Sequence, residues 1–378
     1  MAIISELLAI PMAASGRVDI YSGVQRLMGR IYGQLVRPDD RPSRTVLLIT
    51  HPASAFLGHY LLRPLAEAGV HALGLNTRYA ANDSNLIMEN VLLDIGATVD
   101  ALRMRGYQRV VLVGNSGGGS VVSYYQAEAE HNTVTHTVGG DPVDLAHLSP
   151  ADGIVLVAVH SSRARVVTEW LDPSIVDETD AFTVDPSLDM YNPRNGPPYD
   201  ADFLARYRTA QVERNRRISR WCYDTIARLK AEQSPVSNLG FVIHRTFAEP
   251  GFVDLSIEPT DRDVCRLWGD PAAANLNASS LGRFSSLHAW LSQFSYDDSR
   301  ADALRQLPRT SVPVLLVQGT ADECVLPHHP DSMFAAIQQA DKQMVWVRGG
   351  THYLFTRQDA LDETIKSISA WLTGHDFD

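Results

Sequence analysis

The apolar positions fall into short unbroken runs, separated by stretches whose apolar residues recur with helical period. Thr45–Thr50, Val70–Leu75, Val110–Val113, Gly153–Val159 and Val312–Val317 are such runs, rich in Val, Leu and Ile. They predict strands buried on both faces of a sheet. Tyr60–Ala68 (closed by Gly69), Leu86–Met104, Ser120–Ala127, Asp331–Gln339 and Asp359–Leu372 predict helices, and Met344–Val347 predicts a last strand. Nearer the start, Val18–Tyr21 and Gly29–Gly33 predict an antiparallel hairpin at a sheet edge, followed by a turn at Pro38–Pro42. Strand–helix alternation of this kind gives an α/β protein with a mostly parallel sheet flanked by helices.

The alternation stops between His160 and Leu307. Residues 131–150, just before, predict a polar surface loop, and 181–200 are crowded with Asp, Pro, Asn and Gly. Ala201–Glu232 predicts one long Arg-rich helix. A stretch this long without secondary structure of its own is rare in a compact domain. The expectation is a mainly helical cap, residues 161–307, inserted after the sixth strand into a core of residues 1–160 and 308–378. A second, unrelated domain is the alternative.

Composition narrows the field. Of 378 residues, 45% are apolar and 20% charged, as in soluble globular proteins. The formal net charge of −11 argues against an electrostatic nucleic-acid partner. The three cysteines, Cys222, Cys265 and Cys324, are widely spaced and odd in number, which disfavours a disulfide framework and fits a reduced, cytoplasmic setting. The apolar N-terminus lacks a basic region and carries Glu6 and Pro11, so it reads as a short mature segment rather than a signal peptide. No run reaches the roughly 18 apolar residues of a membrane span. No membrane partner is expected, and a homodimer is left open.

The chemistry centres on residues 109–120. A β-branched run ends in Gly114-Asn115-Ser116-Gly117-Gly118, and a helical stretch follows. Strand, sharp turn and helix with G-x-S-x-G at the turn are the elements of a nucleophile elbow. A phosphate loop would need a Lys after the glycines, and a dinucleotide loop G-x-G-x-x-G; neither is present. A serine nucleophile needs a base, and the base a group to orient it. In a parallel sheet such groups gather beyond the C-terminal strand ends. There the chain carries Asp322, after the strand ending at Val317, and His352, after the last strand. Thirteen histidines raise the question of a metal, but no H-E-x-x-H occurs, and the adjacent His328 and His329 suit one ion poorly. No metal or cofactor is expected.

With Gly114–Gly118, Gly319–Val325 and Gly350–His352 together, the chain resembles the α/β-hydrolase superfamily over roughly residues 40–160 and 310–373. The resemblance implies Ser116 as nucleophile, His352 as base and Asp322 as its orienting acid. It also implies an oxyanion hole built from the N–H of Gly117 and an N–H of the loop His51–Ser54. Pro52 has no N–H to give, which leaves Ala53, with Ser54 second. Strand-end placement adds Ser54, Arg78, Tyr79 and His160 as candidate substrate contacts. The expected activity is hydrolysis of a carboxylic ester or lactone of a small, partly apolar molecule. Amide or peptide hydrolysis, C–C hydrolysis and acyl transfer on the same three residues are the alternatives, followed by a non-catalytic binding protein on the same fold.

Overall fold

The computed structural model describes residues 2–13 and 29–377. Among these residues are ten strands: β1 (Ile3–Pro11), β2 (Arg30–Pro38), β3 (Thr45–Thr50), β4 (Ala72–Asn76), β5 (Arg109–Asn115), β6 (Gly153–Val157), β7 (Gly240–Val242), β8 (Phe284–Ser286), β9 (Val314–Gly319) and β10 (Lys342–Val347). Eight form one sheet in the order β1-β2-β4-β3-β5-β6-β9-β10. β1, β2 and β4 pair antiparallel in turn, and every pairing from β4 to β10 is parallel.

Side chains alternate faces along a strand, and here both sets are apolar. Val46 and Leu48 of β3, Val110 and Leu112 of β5, and Val314 and Leu316 of β9 join one core cluster. Leu47 and Ile49, Val111 and Val113, and Leu315 and Val317 join another on the opposite face. The first face is covered by α2 (Met88–Met104) and α3 (Gly118–His131), through Val91, Ile95 and Val121 among others. The second is covered by α1 (Leu62–Glu67) and α10 (Gln358–Gly374), through Leu65, Ile365 and Trp371. Unbroken apolar runs in the sequence are the signature of this double covering.

The edge differs from expectation. The partner of β2 is Ile3–Pro11, the stretch expected to be a plain N-terminal segment. Leu8 and Ile10 are buried while Leu7 is exposed, so an apolar outward residue hides the alternation of a half-covered edge strand. The expected strand Val18–Tyr21 lies outside the described residues.

Residues 161–307 stand between β6 and β9. They contain α4 (Arg163–Trp170), the 31-residue α5 (Ala201–Ala231), the short helices α6 (Pro271–Leu276), α7 (Leu287–Gln293) and α8 (Ala303–Gln306), and the two-stranded β7–β8 sheet. The insert has apolar clusters of its own, one around Trp290 and Phe294 and one around Trp170 and Phe247. Its last residues, Ala301, Ala303 and Leu307, pack into the first sheet cluster. α9 (His328–Ala336) follows β9. Among the described residues no helix is long and apolar enough to cross a membrane.

Candidate active site

β5 runs without a break into a turn at Ser116 and then into α3. Ser116 has φ of 53°, a left-handed conformation that costs a non-glycine residue about 1–3 kcal/mol. Its N–H donates to the Val157 carbonyl of β6 at 3.2 Å, which holds the turn against the sheet. The neighbours must be small. A Cβ on Gly118 would lie 2.2 Å from the Thr50 carbonyl oxygen. One on Gly117 would lie 2.8 Å from His51 Nε2 and 3.4 Å from His160 Nε2. The N-terminus of α3, with its unsatisfied N–H groups, begins at the same place.

His352 Nδ1 and Asp322 Oδ2 are 3.1 Å apart, both side chains buried. The loop after β9 fixes the carboxylate: Oδ1 accepts from the N–H groups of Cys324 and Val325, each at 2.9 Å, and Oδ2 from Gln318 Nε2 at 2.8 Å. Burial pulls the His352 pKa down, but the Asp322 charge and hydrogen bond outweigh it and leave it raised. Ser116 and His352 line one cavity of about 470 Å³. Thus Ser116, Asp322 and His352 lie beyond three strand ends of one sheet.

The loop after β3 departs from expectation. Ala53 and Ser54 donate their N–H groups to His51 Nδ1, at 3.0 and 2.8 Å. Neither N–H is therefore available as the expected second oxyanion donor. The two bonds fix the ring instead. An imidazole accepting at Nδ1 carries its proton on Nε2, and Nε2 is the atom set over Gly117. Burial, then the charge of Arg163 and the nearby histidines, holds the His51 pKa well below its ordinary value, so the ring stays neutral. His160 is buried in the same way and its pKa is likewise lowered, by burial first. Sequence reasoning did not single out the His51 ring; the signal was the His-Pro pair at the β3 end, where proline removes an N–H.

The other expected contacts divide. Ser54 and His160 line the cavity. Arg78 and Tyr79 do not. Arg78 is fully buried against Asp94 of α2, with Nη2–Oδ1 at 2.6 Å, and Tyr79 Oη accepts from Asn90 Nδ2 at 2.9 Å. A buried guanidinium needs a buried counter-charge, and here α2 supplies it below the strand ends rather than a substrate above them. Arg163 of the insert lines the cavity in its place, paired with Asp83 and set over the Phe294 ring at 5.1 Å. Trp170, Trp268 and Leu281 of the insert form an apolar wall. Cys324, also at the wall, is buried with its Sγ 3.3 Å from that of Cys265, so the fold joins two thiols that the sequence holds far apart.

No protein-family model matches the sequence, and no curated protein matches it significantly. Solved structures do match in shape. One of DcsB in complex with a substrate analogue is 10% identical, covers 98% of this chain and 99% of that one, and gives a TM-score of 0.54. The α/β hydrolase GrgF from Penicillium sp. sh18 is 12% identical, covers 98% of each chain, and gives 0.51. Hypothetical protein PA2218 from Pseudomonas aeruginosa is 13% identical, covers 98% of this chain and 94% of that one, and gives 0.51. With its parallel sheet, the strand–turn–helix at Ser116 and these shared shapes, the chain has the fold of the α/β-hydrolase superfamily.

Proposed function

We propose that this protein is a serine hydrolase that cleaves a carboxylic ester or lactone of a small, partly apolar molecule. The observation that carries the reading is the His352–Asp322 hydrogen bond at the cavity that Ser116 enters from a left-handed turn. His352 Nδ1–H is held by Asp322, which leaves Nε2 as the acceptor for a hydroxyl proton. Ser116 Oγ attacks the acyl carbon as that proton passes to His352. The carbonyl π pair moves onto oxygen, and the imidazolium then protonates the departing alkoxide. Water attacks the acyl-enzyme by the same route, releases the acid and restores Ser116.

The oxyanion is assigned to the Gly117 N–H and to His51 Nε2–H. A neutral imidazole fixed in one tautomer is a preorganised donor, and one such donor contributes about 10²–10³ in rate. Residues 161–307 act as the cap: their aromatic wall favours a substrate with apolar parts, and a cavity of about 470 Å³ suits a small to medium molecule.

The test is labelling with a fluorophosphonate, followed by a panel of p-nitrophenyl esters, lactones and amides, with Ser116→Ala as control. Stoichiometric labelling of the wild type alone, with ester or lactone turnover abolished in the variant, is expected. Ester turnover at the wild-type rate in Ser116→Ala would refute the mechanism.

A further inference from the structure

We propose that Glu169, His328 and His329 form a binding site for one divalent transition-metal ion, zinc above all, which ties the insert to the core. Among the described residues this is the only group of three His, Cys, Asp or Glu side chains whose ligand atoms all lie within 4.8 Å of one another. Glu169 belongs to α4 of the insert, and the two histidines open α9 of the core. The site is independent of the hydrolase reading.

The adjacency of His328 and His329 speaks against a shared ion in the sequence, yet in the structure both rings face one carboxylate. Their rings lie 4.1 Å apart between centroids, tilted by 37°. Each is anchored through Nδ1, which turns both Nε2 atoms toward one carboxylate. His328 Nδ1 is 2.7 Å from Glu258 Oε1, and its N–H donates to Glu258 Oε2 at 2.8 Å. His329 Nδ1 is 3.2 Å from the buried Ser161 Oγ. His328 Nε2 then faces Glu169 Oε1 at 3.5 Å, and His329 Nε2 faces Oε2 at 3.0 Å.

His328 Nε2 and His329 Nε2 converge on the two oxygens of one carboxylate, and a divalent cation there takes the place of the protons they share with it. Bonds of about 2.0–2.2 Å to zinc set tetrahedral ligands roughly 3.3 Å apart, and the two histidine contacts with Glu169, at 3.5 and 3.0 Å, lie on either side of that value. Two imidazoles and one carboxylate with a fourth position left to water suit zinc. Magnesium and calcium take all-oxygen shells. The same donor set also serves ferrous iron, so iron is the second ion to try. Glu258 behind His328 is the outer carboxylate that orients a histidine ligand and raises its basicity. Entry is open on one side: the His328 side chain is 39% exposed, and that of His329 only 4%.

The experiment uses the full chain stripped with EDTA. Zn²⁺ is titrated by calorimetry, Co²⁺ by its d–d absorption, and Fe²⁺ anaerobically, with melting temperature read in parallel. One equivalent of Zn²⁺ with a raised melting temperature, and four-coordinate cobalt bands, are expected. Glu169→Gln and His328→Gln should each weaken binding at least about 10-fold, and Glu258→Gln about 10–100-fold. His147→Gln, at an exposed position, should leave it unchanged. Since His328 is partly exposed, its variant folds even if Glu169→Gln does not. Binding of Fe²⁺ with exclusion of Zn²⁺ would overturn the zinc assignment. No saturable binding, or binding unaltered in His328→Gln, would overturn the site and leave a self-compensated ion network.

Discussion

At the scale of single residues, the proposed chemistry depends on which nitrogen of each imidazole carries the proton. Asp322 decides this for His352. In Asp322→Asn the amide oxygen can still accept from Cys324 and Val325, but the amide NH₂ then faces His352 Nδ1. That ring must accept there and carry its proton on Nε2, where it cannot take one from Ser116. A fall in kcat of about 10³–10⁴ is expected, with melting temperature little changed. The pH profile gives a second reading. The raised His352 pKa places the acid limb of kcat/KM above the ordinary histidine value. Removing the Asp322 charge leaves burial as the dominant influence, so the limb of the residual activity moves to lower pH; an upward move would contradict the assignment. His51 is fixed by backbone donors instead. His51→Ala should lower kcat about 10²–10³ with KM nearly unchanged, as loss of a donor to the oxyanion requires. A change confined to KM would make His51 a binding residue only.

At the scale of elements, the turn between β5 and α3 is where sequence and structure agree most closely. Gly-x-Ser-x-Gly is a local pattern, and its demands are local: a left-handed serine, and glycines where a Cβ would strike the Thr50 carbonyl or the two imidazoles. The strand-end positions of Asp322 and His352 were legible for a related reason, since each follows a strand that an apolar run marks, β9 buried throughout and β10 at the sheet edge. The loop after β3 was not. Whether the Ala53 N–H points into the cavity or back at His51 is set by the three-dimensional path of the loop, which no periodicity encodes. Arg78 fails as a substrate contact because its partner Asp94 lies on another element. The Glu169–His328 approach spans the insert and the core, so spacing along the chain cannot reveal it. The turn yields a sharp test of ring placement. Gly117 has φ of −60°, which alanine adopts freely, so Gly117→Ala meets no backbone strain. Its methyl group would nonetheless sit at 2.8 Å from His51 Nε2 and displace the ring. Loss of about 10² in kcat with an unchanged melting temperature is expected; full activity would show that the ring position does not matter.

At the scale of the whole molecule, several buried imidazoles make stability depend on acid. Burial lowers the pKa of His51 and His160, and takes His59, whose Nε2 is 3.1 Å from Asn115 Oδ1, to about 4. Below pH 6.5 the unfolded chain binds protons at these positions that the folded chain refuses. Stability therefore falls as pH drops from about 6.5 toward 4, and for His59 alone the full loss corresponds to about 3 kcal/mol. His352 acts in the opposite sense: its raised pKa contributes stability that is fully present below pH 6.5 and disappears as pH rises through the folded value. The two groups bracket a stability maximum near pH 6.5. Melting temperatures between pH 8 and 4.5 should rise to that maximum and then fall on the acid side, before most carboxylates titrate. His59→Gln removes one group that drives the acid limb without touching the cavity wall, so its acid slope should be shallower than that of the wild type. An equal slope would mean that His59 takes up its proton in the folded state too, and that the acid limb arises from the remaining buried imidazoles alone.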